Sequence, residues 1–416
     1  MNTKKVVIVG AGIVGLSTAY YLNKKGLQVE VIDQSEGNDN CSFGNAGYVA
    51  PSHLIPLASP GIISQGLKWM LNSKSPFYIK PRLDVDLLKW GWLFKKASTS
   101  KRVREAVPVL YQLTTQSQLL YEQIIQEEGL DAGYQKPGLL MVCQTHKGLE
   151  HEMELLEFAK NMGLPAEKLT THETERIEPH IKYDSVGSLF FECDAWMTPH
   201  VFMKAFENIL KQKGVVIRHQ TVVEDFLQKN QQIVGLNTSD GMLKGDHYVI
   251  TAGAWTSSLM KKLGVSVPLQ GGKGYSFMMA PSQSPSFPSI LVEGRIATSP
   301  MLDGLRIAGT MELSGINHTI GQQRVEGIIE NVKKAIPQYQ SYDFSSIKPW
   351  AGLRPCSPDG LPYIGKTRAA NNLTVGTGHA MLGWTLGPIT GQLIAQSLLN
   401  EPLAINSPLL AVDRYN

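Results

Sequence analysis

The stretch VVIVGAGIVGLSTAYYL, residues 6–22, decides the fold. Its glycines Gly10, Gly12 and Gly15 follow an apolar run with the spacing GxGxxG and lead into a helix-like segment. In a strand–turn–helix unit such glycines permit a tight turn and a close backbone approach to a pyrophosphate, which the positive helix end stabilises. A second apolar run, QVEVID, ends at Asp33, eighteen residues after Gly15, where a carboxylate can accept a hydrogen bond from a ribose hydroxyl. The sequence therefore predicts a dinucleotide site near its amino-terminal end, against the alternative of a chance glycine-rich turn.

The same stretch has another interpretation, because Lys4 and Lys5 precede an apolar run as they do in a secretory signal. Three glycines inside the run, and the lack of a small-residue cleavage site after it, argue against a signal. No later run reaches the ~18 apolar residues that a membrane-spanning helix needs. We therefore expect neither a signal peptide nor a membrane-spanning helix in these residues.

Composition bounds the class of protein. The chain has 416 residues, 43% of them hydrophobic and 18% charged, and a prior of ~150 residues per domain suggests two or three domains. Its net charge of +3, from 39 basic and 36 acidic residues, lacks the strong positive excess that is typical of proteins that bind nucleic acid. The four cysteines lie far apart, at Cys41, Cys143, Cys193 and Cys356, with neither a zinc ligand pair nor a disulfide framework. We expect no metal and a reduced, cytoplasmic location.

Hydrophobic patterning divides the chain into segments of two kinds. One kind comprises helices and isolated β-like runs, and the other has the strand–helix alternation of a dinucleotide-binding sheet. The first kind consists of helices within 61–135, with an apolar stripe at Leu110, Leu113, Leu119, Leu120 and Ile124, and β-like runs at 138–143 and 187–192. The second kind resumes with a helix at 202–213 and strand-like runs at 215–223, 232–239 and 247–253.

The predicted fold class is α/β. A Rossmann-like cofactor-binding domain is interleaved with an α+β substrate domain that contains a mixed β-sheet. The cofactor-binding domain takes residues 1–60, 195–268 and 336–416, and the substrate domain takes residues 61–194 and 269–335.

The most informative stretches are WAGLRPCSPDGLPYIGK, residues 350–366, and NLTVGTGHAMLGWTLGPITGQLIAQSL, residues 372–398. Together with the amino-terminal glycines, SFGNAGYVAPS (42–52), ITAGAW (250–255) and GGKGYSF (271–277), they resemble the superfamily of FAD-dependent D-amino-acid oxidase, glycine oxidase and sarcosine oxidase. Within it, the chain most resembles bacterial D-amino-acid dehydrogenases. The resemblance covers essentially the whole chain in order, and it implies that the dinucleotide is FAD.

The resemblance implies that each of these stretches contributes to FAD binding. The expected FAD contacts are Gly10, Ala11, Gly12, Ile13, Val14, Gly15, Asp33, Gln34, Cys41, Ser42, Ala46, Gly47, Tyr48, Val49, Val223, Ala252, Gly253, Trp255, Gly352, Gly378, His379, Met381, Leu382, Gly383, Trp384 and Thr385. The glycines after Thr377 precede a helix with Pro388 in its first turn, which would present free N–H groups and a positive helix end to the flavin. Simple packing of a glycine-rich helix is the alternative. For His379 the family implies a backbone contact rather than acid–base chemistry.

Arg354 is the predicted substrate ligand. In related oxidases the arginine of LRP or FRP holds the substrate carboxylate, and a guanidinium fork does so through two parallel hydrogen bonds. A structural salt bridge to Asp359 is the alternative. Tyr48 and Tyr275, each flanked by glycine, are expected to stack near the flavin or close the pocket, with a core role as the alternative. His53 is a weaker candidate for the same substrate pocket.

Two departures from relatives bear on the chemistry. Sarcosine oxidase relatives carry covalent flavin on a cysteine, and alignment on Pro358 and Asp359 places Gly352 at that position, so we expect noncovalent FAD. Where those oxidases carry a lysine that assists oxygen, this sequence has Arg306, which favours a dehydrogenase.

The resemblance implies oxidative deamination of a D-amino acid. A hydride would pass from Cα of the neutral amine to flavin N5, the imino acid would hydrolyse to a 2-oxo acid and ammonia, and a quinone-type acceptor would take the electrons. We nominate no catalytic side-chain base, because positioning and the flavin supply the rate. The alternatives are an oxidase or dehydrogenase of glycine, sarcosine or a cyclic imino acid such as D-hydroxyproline, and a noncatalytic FAD-binding module.

Residues 67–104 combine basic and aromatic side chains. The basic residues are Lys68, Lys74, Lys80, Arg82, Lys89, Lys95, Lys96, Lys101, Arg102 and Arg104, against only Asp84 and Asp86, and the aromatic residues are Trp69, Phe77, Trp90, Trp92 and Phe94. This composition suits peripheral contact with an anionic surface, such as the inner face of the cytoplasmic membrane. Helices packed on the substrate domain with solvated lysines are the equal alternative.

Overall fold

The computed structural model describes residues 4–70, 72 and 74–416, without the side chains of residues 67 and 68. Its strands are β1 Lys5–Val9, β2 Gln28–Ile32, β3 Tyr48–Val49, β4 Phe77–Ile79, β5 Leu139–Cys143, β6 Ala166–Leu169, β7 Gly187–Phe191, β8 Ala195–Trp196, β9 Val216–Arg218, β10 Val223–Lys229, β11 Gln232–Thr238, β12 Gly241–Leu243, β13 His247–Ile250, β14 Gln270–Met279, β15 Ser289–Leu291, β16 Ile296–Met301, β17 Gly304–Leu313, β18 Trp350–Cys356, β19 Tyr363–Lys366 and β20 Leu373–Thr377. Its α-helices are α1 Ile13–Lys24, α2 Ile62–Trp69, α3 Val85–Ala97, α4 Ser100–Glu128, α5 His146–Asn161, α6 Thr171–Ile177, α7 Pro199–Gln212, α8 Thr256–Lys262, α9 Gln322–Ala335 and α10 Gly387–Leu399.

The first sheet has the order β19-β20-β13-β1-β2-β9 in the described residues. Its strands run parallel except for β19, which pairs antiparallel with β20. Residues Val6–Val9 of β1 are all buried, as expected for a parallel strand that helices cover on both faces. Helices α1 and α10 pack on one face so closely that a Cβ at Gly391 would lie 2.5 Å from the backbone carbon of Ser17. This packing sets the amino-terminal ends of both helices at the same edge of the sheet.

The second sheet has the order β18-β14-β17-β16-β15-β5-β7-β6, with β4 paired to β17, again within the described residues. It mixes parallel and antiparallel pairs, and β14 joins β17 and β18 along most of its length. Small antiparallel sheets form from β10-β11-β12 and from β3-β8. The predicted fold class, a Rossmann-like domain with a mixed-sheet substrate domain, is therefore confirmed.

Three details differ from the sequence predictions. The segment 61–135 is not helical throughout, because residues 77–79 form β4 and extend the second sheet. Leu119 lies on the exposed face of α4, whereas the other members of its predicted stripe are buried. The run 215–223 does not form one strand, because it divides between β9 of the first sheet and the start of β10. The domain boundaries stay a prediction, and β18, from the segment 336–416, pairs with the second sheet.

Candidate active site

The turn after β1 has the geometry of a phosphate-binding loop. Gly10 has a φ of 111°, and a Cβ there would lie 2.5 Å from the Thr251 carbonyl oxygen. A Cβ at Gly15 would lie 1.8 Å from the Gly10 carbonyl oxygen, so only glycine allows α1 to start this close to the strand. Gly12 is the N-cap of α1 and has no side-chain cap. The first turn of α1 therefore offers backbone N–H groups to an anion.

Ser42 and Asp33 complete this end of the site. The Ser42 hydroxyl accepts from the Ile13 N–H at 2.9 Å, which brings it to the amino-terminal end of α1. Asp33 follows β2, and its carboxylate accepts from the Ala11 N–H at 2.6 Å and from the Ser35 N–H at 2.7 Å. These bonds fix the carboxylate beside the turn, where a ribose hydroxyl can reach it.

A cavity of about 1140 Å³ extends from this turn across the gap between the two sheets. Most of the expected FAD contacts line it: Gly10, Gly12, Ile13, Val14, Asp33, Gln34, Cys41, Ser42, Ala46, Tyr48, Val223, Ala252, Gly253, Trp255, Gly352, His379, Met381, Leu382, Gly383, Trp384 and Thr385. Five expected contacts do not line the cavity: Ala11, Gly15, Gly47, Val49 and Gly378. Gly47, with a φ of 82°, approaches the Met197 carbonyl oxygen too closely for a side chain, so its role is in the backbone.

The end of the cavity near α10 holds an unsatisfied donor. The indole N–H of Trp384 is buried and has no hydrogen-bond acceptor among the described residues. Pro388 lies in the first turn of α10, as predicted. Ala380 begins the short 3-10 helix that precedes α10, and its φ of 47° is uncommon for a residue with a side chain. An orphaned donor, a strained backbone and a helix start at the same place fit the polar edge of a flavin.

His379 is a buried histidine whose ring is hydrogen-bonded inside the protein. Its Nε2 atom lies 2.9 Å from the Thr390 hydroxyl, and burial lowers its pKa to about 3. The ring therefore stays neutral, which agrees with the expectation of no acid–base role for His379.

Arg354 lies in β18 and faces the cavity over Gly274. A Cβ at Gly274 would lie 2.1 Å from Nη1 of Arg354, so the glycine makes room for the guanidinium. Nη1 donates to the Thr310 carbonyl at 2.7 Å. No carboxylate of the described residues lies within salt-bridge distance of the guanidinium, and burial lowers its pKa. Arg354 is thus a partly buried cation that faces a cavity without a counter-ion.

The alternative role for Arg354, a salt bridge to Asp359, does not fit the geometry. Asp359 already pairs with Arg414, whose Nε and Nη2 atoms donate to the two carboxylate oxygens at 2.8 and 2.9 Å. The Arg414 guanidinium also stacks on the Tyr363 ring at 3.7 Å. Asp359 therefore serves a different arginine, and the Arg354 fork stays available to a ligand carboxylate.

The other expected substrate ligands also line the cavity, but two of them have committed hydroxyl groups. The Tyr48 hydroxyl lies 2.8 Å from the Ser289 carbonyl and 3.0 Å from the Thr298 carbonyl. The Tyr275 hydroxyl donates to Glu312 at 2.7 Å and accepts from the Gly321 N–H. Neither hydroxyl is oriented to donate to a substrate carboxylate. His53 presents its ring to the cavity.

Comparison with known proteins identifies the family. The family model described as "FAD dependent oxidoreductase" (DAO) matches residues 5–397. The chain belongs to the DAO family of FAD-dependent oxidoreductases. The expected superfamily, the cofactor FAD and the enzyme class of oxidoreductase are therefore confirmed, and a noncatalytic FAD-binding module is not supported.

Similar proteins span the whole chain. The D-amino acid dehydrogenase of Vibrio vulnificus (strain CMCP6) is 32% identical over 407 residues, which cover 95% of this chain and 96% of the relative. The D-amino acid dehydrogenase of Paramagnetospirillum magneticum is 30% identical over 419 residues, or 99% of both chains. The crystal structure of glycine oxidase from Geobacillus kaustophilus matches all of both chains with a TM-score of 0.80 at 20% identity, which supports the fold.

The position expected to carry covalent FAD in relatives is blocked in this DAO-family chain. A Cβ at Gly352 would lie 2.1 Å from the Trp350 ring, whose edge also fills the space over Gly44. The nearby thiols are no substitute, because burial raises the pKa of Cys41 to about 11 and that of Cys356 to about 12. A protonated thiol is a poor nucleophile, so these contacts support noncovalent FAD.

Arg306, the expected counterpart of the oxidases' lysine, does not line the cavity in the described structure. Its Nη1 atom donates to the carbonyl oxygens of Phe43 and Asn45, both at 2.7 Å. Those residues belong to the loop that carries Ser42 and Ala46 to the FAD cavity. Arg306 therefore anchors a loop that lines the cavity, and its own guanidinium does not line the cavity.

An apolar wall lies beside Arg354 and was missed in the sequence. Cys356 packs with Trp90 and Met311, and the Trp90 indole donates to the Cys356 carbonyl at 2.9 Å. The apolar side chains that pack here and line the cavity are Leu57, Phe77, Ile79, Trp90, Phe94, Met311 and Leu313. The wall comes from α3, β4, β17 and, through Leu57, the loop between β3 and α2. Sequence periodicity could have assigned α3 a buried stripe but not its neighbours.

Proposed function

We propose that the chain oxidises the Cα–N bond of a D-amino acid to an imino acid, which hydrolyses to a 2-oxo acid and ammonia. The observation that carries this proposal is the Arg354 guanidinium, which faces the FAD cavity with no acidic partner among the described residues. The relatives named D-amino acid dehydrogenase, at 32% and 30% identity, support an amino acid as the substrate. The test is anaerobic bleaching of the bound flavin by D-amino acids.

The chain's own contribution is positioning. Arg354 would hold the substrate carboxylate through two parallel hydrogen bonds, which fix both its place and its plane. The apolar wall beside it would hold the side chain and exclude water from the reacting carbon. Bound FAD supplies the acceptor of the hydride that leaves Cα. When the carboxylate is held at one end and the side chain at the other, the Cα–H bond can point in only one direction. This orientation is the main source of the rate enhancement.

The apolar wall favours substrates with an apolar side chain over glycine or sarcosine. Its aromatic and thioether groups at Trp90, Phe94 and Met311 offer surface that glycine cannot cover. Each buried methylene contributes about 0.8 kcal/mol, which is roughly a fourfold gain in kcat/KM. D-alanine, D-valine and D-leucine should therefore show increasing kcat/KM, with glycine far below them. A preference for glycine or D-hydroxyproline would show that the wall does not contact the side chain.

We further propose that a quinone-type acceptor, rather than oxygen, takes the electrons. One support is that similar proteins are named D-amino acid dehydrogenase. The other is Arg306, whose guanidinium donates to carbonyl oxygens of a loop and does not face the cavity. Activity with a quinone analogue should greatly exceed hydrogen peroxide production under the same conditions. Equal rates with oxygen would make the enzyme an oxidase.

The acceptor's location is proposed to be an anionic membrane surface, which α3 would contact. No helix in the described part of the chain is long and apolar enough to cross a bilayer. However, Leu83, Val85, Leu88 and Trp92 are 104%, 81%, 68% and 56% exposed, and they form the outer α3 patch. The ammonium of Lys96 lies 3.4 Å from the Trp92 ring centroid. Apolar groups beside lysines suit an anionic lipid interface.

The opposite face of α3 supports this assignment. Trp90 is buried and stacks on Phe94 at 4.8 Å, and both line the FAD cavity. One helix therefore borders the cavity on one side and presents the outer α3 patch on the other. Of the basic residues in 67–104, Lys74, Arg82 and Arg102 pair with acids and Lys89 bonds Ser266, whereas the side chain of Lys68 lies outside the described residues.

Cosedimentation with liposomes that contain anionic lipid tests the outer α3 patch. The double variant Leu88→Ser/Trp92→Ser should lose most binding, while Met242→Ser, at a site 58% exposed on β12, should keep it. Binding should weaken with added salt, because the lysines contribute electrostatic attraction. If both variants bind like wild type, α3 is an ordinary solvated helix.

A further inference from the structure

A chain of polar side chains leads from the cavity wall into the interior at His53, Ser52 and Asp194. The Ser52 hydroxyl donates to Asp194 Oδ2 at 2.5 Å, and the Ser52 N–H donates to Oδ1 at 3.0 Å. The Ser52 oxygen also lies 3.3 Å from His53 Nδ1. Because the hydroxyl proton points to the carboxylate, this oxygen accepts from Nδ1–H of His53. Nε2 of His53 is then an acceptor for a group in the cavity.

Asp194 is an unusual carboxyl group. It is 0% exposed, and within the described structure no lysine, arginine or histidine pairs with it. Pairing of β3 with β8 brings it beside Ser52, and the Cys193 thiol is its other side-chain contact, at 3.4 Å. Lys136 acts on it only at longer range, and burial raises its pKa to about 7. A buried carboxylate without a counter-ion costs free energy, which suggests a functional reason to keep it.

The other ionisable groups around His53 do not form such a chain. On α5, Glu152 pairs with Arg295 at 3.1 Å, and His151 and Glu154 line the same cavity. Burial lowers the pKa of His53 to about 4, so its ring is neutral near neutral pH. His53 is therefore suited to pass a proton on to Asp194, and poorly suited to keep it.

We propose that His53, Ser52 and Asp194 form a relay that removes the proton which the substrate ammonium must lose before hydride leaves Cα. This inference rests on the proposed function, because it requires an amino acid in the cavity. An ammonium N–H bond breaks as an N–H bond forms at His53 Nε2; the Nδ1 proton moves to the Ser52 oxygen, and the Ser52 proton moves to Asp194 Oδ2. The amine and Asp194 end neutral, and His53 ends in its other tautomer. The reverse shifts return the proton to the cavity after product leaves.

The relay predicts a specific change in the pH dependence of flavin reduction. In the wild type, kcat/KM for a D-amino acid should rise with pH to a plateau near the Asp194 pKa of about 7. In Ser52→Ala, Asp194→Asn and His53→Gln the rise should move upward by at least about one pH unit, because only the already neutral amine can react. Their rates should be about tenfold low near neutral pH and approach wild type in alkali. His151→Gln, which alters another cavity-lining histidine, should keep the wild-type profile.

The outcomes separate the relay from the proposed function. A loss of rate that is equal at every pH, or an unchanged profile in all three relay variants, overturns the relay. Absence of flavin reduction in the wild type with any D-amino acid overturns the proposed function instead.

Infrared difference spectroscopy supplies a readout that does not depend on turnover. The probe is 2-aminoisobutyrate, which carries a carboxylate and an ammonium but no Cα–H. At a pH above the Asp194 pKa of about 7, its binding to wild-type holoenzyme should produce the C=O band of a protonated carboxyl group. The band should be absent in Asp194→Asn and in Ser52→Ala. A probe that binds the wild type without that band contradicts the relay.

Discussion

Replacing Arg354 by leucine tests the role of its guanidinium. Leucine removes the charge and the fork, and it keeps an apolar stem beside Gly274. A charge-assisted hydrogen bond contributes about 1.5–3 kcal/mol, so losing a bidentate pair costs at least about 3 kcal/mol. At 1.36 kcal/mol per factor of ten, kcat/KM should fall by about two powers of ten or more. Arg354→Lys should be intermediate, since an ammonium keeps the charge without the fork.

The stability of Arg354→Leu should not fall along with its activity. In the described structure the Arg354 guanidinium has no acidic partner, so its removal strands no buried carboxylate. The free energy of unfolding of Arg354→Leu should therefore stay at or above that of the wild type. Arg414→Leu is the matched control, because that arginine binds Asp359 bidentately. It should lower stability and leave the half-saturating substrate concentration unchanged.

The assay is anaerobic stopped-flow reduction of each purified variant, with visible spectra to confirm retained FAD. Flavin reduction at saturation should also fall in Arg354→Leu, because the carboxylate grip orients Cα–H. If Arg354→Leu is reduced at the wild-type rate with an unchanged half-saturating concentration, the carboxylate site lies elsewhere in the cavity.

Three further predictions concern FAD and the buried carboxyl group. Acid precipitation of the wild type should leave the yellow colour of FAD in the supernatant, and colour in the pellet would contradict noncovalent binding. Gly352→Cys should give the same result, because the Trp350 ring fills the space that a covalent attachment at residue 352 would need. Asp33→Ala should weaken FAD binding about tenfold or more in a titration of apoprotein, through loss of a charge-assisted hydrogen bond to ribose; unchanged affinity would place the ribose elsewhere. Asp194 has a pKa raised from 3.8 to about 7, so the folded state binds its proton more tightly and the wild-type free energy of unfolding falls as pH rises through that window. As pH rises from 3.8 to about 7, denaturant unfolding should therefore show the free energy of unfolding of Asp194→Asn increasing relative to that of the wild type. A difference in unfolding free energy that does not depend on pH would refute the shifted pKa.

The dinucleotide site was predictable because its determinants are local. Gly10, Gly12 and Gly15 fix a turn within six residues, and Asp33 ends the next strand. Arg354 was identified from its LRP context through the family resemblance. Its lack of a partner was not predictable, since Asp359 is taken by Arg414, 55 residues away along the chain.

Long-range pairing hid the rest of the site. Ser52 and Asp194 are 142 residues apart and meet only because β3 pairs with β8. The aromatic residues of α3 show the same limit, because composition predicted either contact with an anionic surface or packing on the substrate domain, and could not say which face of the helix is covered. The structure divides them: Trp90 is buried against the cavity, and Trp92 is exposed.

Anaerobic titration of the purified holoenzyme with amino acids tests the central claim most directly. D-amino acids with apolar side chains should bleach the flavin absorbance, and their L-enantiomers should not. Glycine, sarcosine and D-hydroxyproline should reduce it slowly or not at all. Bleaching by D-hydroxyproline or glycine alone, or by none of these compounds while dithionite still bleaches the flavin, would contradict the account.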